Sequence, residues 1–131
     1  MAQFPWSVDG FAKVLVAVSD DDVREDLADA LHARGAHVIA IGHAQTLHAA
    51  IRRAVEVGEP TFDLVIADAR LDGCSPLHAL SWARRQGFTA RVVVVGPRRT
   101  HVDADSDRVD AFVASARRVL SWIGAARAEA A

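Results

Sequence analysis

The chain has 131 residues, enough for one domain but too few for two ordinary hydrophobic cores. Hydrophobic residues make up 51% and charged residues 24%, a balance typical of globular proteins and not of disordered ones. The formal net charge is -2, with 15 basic and 17 acidic residues, so the composition favours neither nucleic acid nor an anionic membrane as a partner. Cys74 is the only cysteine, which excludes an intramolecular disulfide and a thiolate metal site.

The sequence carries no signal for a membrane or for export. No apolar run approaches the roughly 20 residues that a membrane-spanning helix needs. The segment from Met1 to Phe11 lacks the basic start and apolar middle of a signal peptide. We therefore predict a cytoplasmic protein without membrane contact. We also predict three segments, which are an N-terminal extension over 1–11, one domain over 12–127 and a tail over 128–131.

Short β-branched runs alternate with segments of helical spacing. Five runs predict strands, at residues 14–18, 38–41, 64–68, 92–95 and, more weakly, 111–113. The apolar residues between and after them recur three or four positions apart, which predicts helices with one buried stripe each. Strands that alternate with helices imply right-handed crossovers and a parallel sheet. The pattern predicts an α/β fold, a flavodoxin-like, doubly wound five-stranded sheet of order 2-1-3-4-5 with helices on both faces.

The fourth crossover departs from this pattern. The segment from Pro97 to Arg108 carries almost no apolar stripe. Because a crossover helix must bury one face against the sheet, we expect this helix to be short, distorted or missing.

Three local features predict details of the helices. Asp22 and Glu25 have the spacing of a capping box at the start of the first helix. Ser75 and Pro76 predict the N-cap and first residue of the third helix. Trp82 lies off the apolar stripe of that helix, so its indole is either exposed or covers an edge of the core, and we favour the second alternative.

Ligands of such sheets bind beyond the carboxyl ends of the strands. The loop after the first strand, Ser19 to Asp22, is acidic and has no glycine, which excludes the Gly-rich phosphate turn of a dinucleotide site. The third strand ends at Asp68 on the same edge. An acidic loop that faces a strand-terminal aspartate indicates a cation-assisted carboxylate site.

Three segments, Lys13 to Leu31, Phe62 to Leu80 and Arg91 to Gly96, resemble the receiver domains of response regulators, and the resemblance covers residues 12–127. Asp68 matches the phosphoacceptor aspartate of that family. The resemblance implies a receiver fold and a role in two-component signalling.

The metal site of the family is altered in this sequence. In receivers, two adjacent acidic residues after the first strand hold Mg²⁺. An alignment without gaps places Val18 and Ser19 at those positions. Valine cannot bind a cation, and a serine hydroxyl is a poor substitute for a carboxylate.

The family's switch residues are altered as well. The switch serine or threonine corresponds to Gly96, and the conserved Lys-Pro pair of the family corresponds to Ala114 and Ser115. Lys13 is the only lysine, so no other lysine can replace the lost one. Phosphoryl transfer to a carboxylate depends on cations that neutralise the transferring group, so we predict that Asp68 is a vestigial acceptor.

Two alternatives use the neighbouring charges. A shifted alignment places Asp20 and Asp21 at the metal positions, which would leave a phosphorylatable receiver with an atypical Mg²⁺ site at Asp68. That shift would extend the strand by two residues and shorten the following loop equally, so we favour Asp20 to Asp22 as caps of the first helix.

Arginines form the second set of neighbouring charges. Arg70, Arg98 and Arg99 lie in the loops around Asp68. They could pair with its carboxylate in place of a phosphate, or hold a small anionic ligand such as a cyclic dinucleotide.

The resemblance and its departures together predict a pseudo-receiver. We expect an adaptor in two-component-type signalling that binds a protein partner or a second copy of itself without conventional aspartate phosphorylation. No acid, base and nucleophile converge in the loops, so we expect no enzymatic activity. We expect no metal or other cofactor, with Mg²⁺ bound only under the alternative alignment, and no nucleic-acid partner.

Overall fold

The computed structural model describes residues 12–58, 62–69, 71, 76–96, 111–113, 117–121 and 123. The predictions for the extension over 1–11, the tail over 128–131 and the altered crossover over 97–108 lie outside these residues.

Five parallel strands form one sheet. The elements in chain order are β1 (Lys13–Ala17), α1 (Asp21–His32), β2 (His37–Ile41), α2 (Ala44–Val57), β3 (Leu64–Asp68), α3 (Leu77–Arg85), β4 (Arg91–Val95) and β5 (Ala111–Val113). Residues 117–121 and 123 are also helical. The strand order is β2-β1-β3-β4-β5, so the predicted doubly wound fold is confirmed. In the part of the chain that the structure describes, no helix is long and apolar enough to cross a bilayer.

The sheet buries a separate core on each face. Leu15 of β1 packs into a cluster with residues of α2 and α3, including Leu47. Its neighbour Val16 packs into a second cluster with Leu27 of α1 and Ile123 of the last helical segment. Successive residues of a strand point to opposite faces, which is why a continuous apolar run predicts a strand covered on both sides. The helices lie on both faces, as expected.

The cap of α1 differs from the prediction. The N-cap is Asp20, whose backbone is extended and whose carboxylate accepts a hydrogen bond of 3.1 Å from the N–H of Val23. Asp22 and Glu25 are exposed. The predicted capping box at Asp22 is wrong, because the helix has already begun at Asp21.

The third helix also differs from its prediction. It begins at Leu77, one residue later than expected, with Pro76 as its N-cap. Its buried stripe includes Leu80 and Ala83. Trp82 is partly buried against the same core, as expected for an indole that covers an edge of the core. The stripe continues to Ala83, and this brings the adjacent indole against the core.

Candidate functional site

The parallel register brings the loop after β1 next to the end of β3. Ala17 of β1 pairs with Ala67 of β3, and Asp68 follows as the last residue of that strand. Asp68 also pairs with Val95 of β4, and its side chain is half-buried. The carboxylate therefore lies at the carboxyl edge of the sheet, between the two neighbouring strands.

Ser19 binds Asp68 through two donors. Its backbone N–H donates to Oδ2 of Asp68 over 2.7 Å, and its hydroxyl donates to the same oxygen over 2.9 Å. Hydrogen bonds to an ionised acceptor are short and roughly twice as strong as those between neutral groups. In this structure the carboxylate is held by two neutral donors from the neighbouring loop.

Val18, the other predicted metal position, does not reach the carboxylate. Its side chain is 2% exposed and belongs to the core shared with α1. Its N–H donates to the carbonyl of Ile41 over 3.2 Å. Of the two residues aligned with the metal ligands, the structure brings only Ser19 to Asp68.

Arg24 is hydrogen-bonded to the same loop, a role that was not predicted from the sequence. Its Nη1 donates to the carbonyl of Val18 over 2.7 Å and to that of Ser19 over 3.5 Å. Its Nη2 pairs with the carboxylate of Asp21. The spacing of Asp21 and Arg24 on one helix could have indicated the ion pair. Contacts to backbone carbonyls leave no comparable signal in a sequence.

The first-loop aspartates are engaged within the first turn of α1. Asp20 caps the helix through the N–H of Val23, and Asp21 pairs with Arg24. Across the described residues, no group of three or more histidines, cysteines, aspartates and glutamates could hold a metal ion. The direct partners of Oδ2 of Asp68 are thus a backbone N–H and a hydroxyl, both from Ser19, and not a second carboxylate.

Lys13 lies at the far end of the sheet from Asp68. It is the first residue of β1, whereas Asp68 is the last residue of the neighbouring parallel strand. By the register of β1 and β3, Lys13 is level with Asp63, so five residue steps, or about 16 Å along the strand, separate it from Asp68. The only lysine of the chain therefore starts from the opposite edge of the sheet.

Gly96 follows β4 with a φ of 154°. Residues with a side chain rarely adopt that backbone angle, so glycine suits the backbone at the predicted switch position. The other predicted site residues, Arg70, Arg98, Arg99 and Ala114, lie outside the described part of the chain.

Comparisons with known proteins agree with this architecture. No family model and no curated protein matches the sequence. Solved structures of response regulator receiver domains match its fold. One is a CheY-like receiver domain from Methylobacillus flagellatus, with 18% sequence identity, a TM-score of 0.60, and coverage of 87% of this chain and 99% of that chain.

Two further matches are structures with ligands or a modification. The response regulator TrrA from Thermotoga maritima, in complex with Mg²⁺-BeF, has 21% identity and a TM-score of 0.63, covering 79% of this chain and 86% of that chain. A response regulator from Burkholderia pseudomallei, with a phosphorylated aspartic acid, a calcium ion and citrate, has 21% identity and a TM-score of 0.66, covering 92% of this chain and 73% of that chain. The predicted receiver fold is therefore confirmed.

Proposed function

We propose that this chain is a pseudo-receiver of two-component-type signalling, which acts by binding a protein without phosphorylation of Asp68. The observation that carries the proposal is the pair of hydrogen bonds from Ser19 to Oδ2 of Asp68. In this arrangement the carboxylate is held by groups of the protein itself. The receiver fold supports the signalling class, because the solved structures that share it are response regulators.

The charges around Asp68 support the absence of phosphorylation. A phosphoryl group adds about two negative charges, which Mg²⁺ and a lysine would have to neutralise. Val18 is buried in the core, and Ser19 offers only neutral donors. Lys13 lies at the opposite edge of the sheet. Among the residues that the structure describes, the two groups that contact Asp68 carry no positive charge that could stabilise a phosphoryl group.

A receiver that is not phosphorylated can still signal through its surface. Its partner is then a signalling protein or a second copy of the chain. The receiver binds this partner in a single conformation that does not depend on phosphorylation. In this role no residue carries out a catalytic step, and no nucleic acid is bound.

Chemical phosphorylation tests the proposal directly. The protein is incubated with acetyl phosphate and Mg²⁺ and its intact mass is measured, with Asp68→Asn as the control variant. We expect no gain in mass in either protein. A gain of one phosphoryl group in the wild type that is lost in Asp68→Asn would contradict the proposal and favour a phosphorylatable receiver.

Partner binding tests the second half of the proposal. An asparagine at position 68 keeps a carbonyl oxygen that can accept both hydrogen bonds from Ser19. We therefore expect Asp68→Asn to keep the self-association measured by light scattering, and the cross-linked partners found in cells. Loss of every partner in this variant would show that the charge or phosphorylation of Asp68 is needed.

A further inference from the structure

Arg24 lies between the loop that binds Asp68 and the loop that connects β2 with α2. We propose that Arg24 is a positioning residue, which holds Ser19 in reach of Asp68 and couples this contact to the β2–α2 loop at Gly42. This inference rests on the proposed function, because Arg24 would keep the unphosphorylated Asp68 in a single conformation.

The planar peptide bond between Val18 and Ser19 links the contact of Arg24 to the contact of Asp68. The carbonyl of Val18 and the N–H of Ser19 belong to one rigid peptide unit, and in the trans form they point in opposite directions. Nη1 of Arg24 donates to that carbonyl over 2.7 Å. The N–H on the other side of the same unit donates to Oδ2 of Asp68 over 2.7 Å. Fixing the carbonyl therefore fixes the direction of the donor that reaches Asp68.

The guanidinium is itself held in place. The Arg24 side chain is 22% exposed, whereas its partner Asp21 is 85% exposed. A surface ion pair of this kind contributes little free energy, but the planar fork of arginine can bind carbonyl and carboxylate groups in a fixed geometry. The hydrogen bonds of Nη1 to the carbonyls of Val18 and Ser19 then do the positioning, while Asp21 orients Nη2.

Gly42 provides the space that the guanidinium occupies. A Cβ at this position would lie 2.5 Å from Nη1 and 3.1 Å from Cζ of Arg24. Both distances are shorter than normal van der Waals contacts, so a side chain would displace the guanidinium. A side chain on the β2–α2 loop at this point would therefore disturb the guanidinium that holds the Val18–Ser19 peptide.

Variants on two different elements test the coupling. Arg24→Met removes the guanidinium but keeps an apolar stem, and Gly42→Ala places a methyl group where the guanidinium lies. We expect amide hydrogen exchange at Ser19 to accelerate about tenfold in both variants, because one hydrogen bond of ordinary strength is lost. We also expect the ¹³Cγ signal of Asp68 to shift. Arg53→Met on the exposed side of α2 is the matched control, with no expected change.

Conservative replacement separates positioning from general stability. Arg24→Lys keeps a donor for the carbonyl of Val18 and should restore part of the slow exchange at Ser19. If Arg24→Met does not fold, Gly42→Ala decides the question, since it displaces only the end of a flexible side chain. Unchanged Ser19 exchange and an unchanged Asp68 signal in folded Gly42→Ala would overturn the inference.

The same samples distinguish this inference from the proposed function. Adding Mg²⁺ and beryllofluoride to the wild type should leave the Asp68 signal unchanged if Asp68 is not a working acceptor. A response there contradicts the pseudo-receiver proposal but not the role of Arg24. Unchanged Ser19 exchange in the Gly42 variant contradicts the role of Arg24 and leaves the pseudo-receiver proposal intact.

Discussion

Asp63 and Lys13 are hydrogen-bonded in both directions at the amino edge of the sheet. The N–H of Lys13 donates to Oδ2 of Asp63 over 2.9 Å, and the N–H of Asp63 donates to the carbonyl of Lys13 over 2.8 Å. The N–H of Ala12 donates to the same Oδ2, and the N–H of Arg91 donates to the carbonyl of Asp63. One aspartate thus connects the starts of three adjacent strands, at the edge opposite Asp68.

Replacing Asp63 should reduce the free energy of unfolding, by more in an alanine variant than in an asparagine variant. Asp63→Ala removes the acceptor for two backbone N–H groups, so we expect a loss of about 2–3 kcal/mol in the free energy of unfolding. Asp63→Asn keeps an oxygen acceptor without the charge, so we expect about half of that loss. Urea denaturation followed by circular dichroism measures both. Equal losses in the two variants would show that only the charge matters.

The buried stripe of α1 gives a second prediction. Leu27 is fully buried in the core shared by α1 and the sheet. We expect Leu27→Ala to lower the free energy of unfolding by about 2–5 kcal/mol, from lost burial and the cavity left behind. Val57 is 64% exposed, so Val57→Ala is the control and should change stability by less than about 0.5 kcal/mol. Similar losses in both variants would contradict the assigned packing.

The fold was predictable because its signals are local and repeated. The apolar run before Ser19 is buried on both faces of the sheet, and its alternation between two cores follows from the geometry of a strand. The stripe of Val23, Leu27 and Leu31 is buried as its spacing predicts. Such patterns survive a one-residue error in a boundary, as the start of β1 at Lys13 shows.

The site was only partly predictable, because its contacts depend on three-dimensional proximity. Alignment placed Ser19 near Asp68, but it could not show that the N–H and the hydroxyl both bind one oxygen. Arg24 carried no signal beyond its spacing from Asp21. Its guanidinium lies where a Cβ on Gly42 would be, and α1 and the β2–α2 loop come together there because β1 and β2 pair.

The backbone at Gly96 gives a third prediction. Its φ of 154° disfavours any side chain, and such strain costs about 1–3 kcal/mol. We expect Gly96→Thr to lose stability by that amount and to remain unphosphorylated by acetyl phosphate, although it restores the hydroxyl of the family's switch. Thermal unfolding and intact mass test both outcomes. A stable variant that is phosphorylated would show that the missing hydroxyl alone had disabled the site.

Ser19→Asp is the sharpest test of how the site differs from a receiver that binds Mg²⁺. The substitution keeps the backbone N–H but replaces the hydroxyl by a second carboxylate beside Asp68. The two carboxylates should repel each other until a cation binds between them. At a tenfold excess of Mg²⁺ over its Kd, binding would stabilise the variant by about 1.4 kcal/mol, which raises Tm by about 5 °C. The wild type and Ser19→Asn should show no such rise. A Mg²⁺-dependent rise in wild-type Tm that disappears in Asp68→Asn would mean that Asp68 binds the cation with ligands other than Ser19, and the shifted alignment through Asp20 and Asp21 would then be the better account.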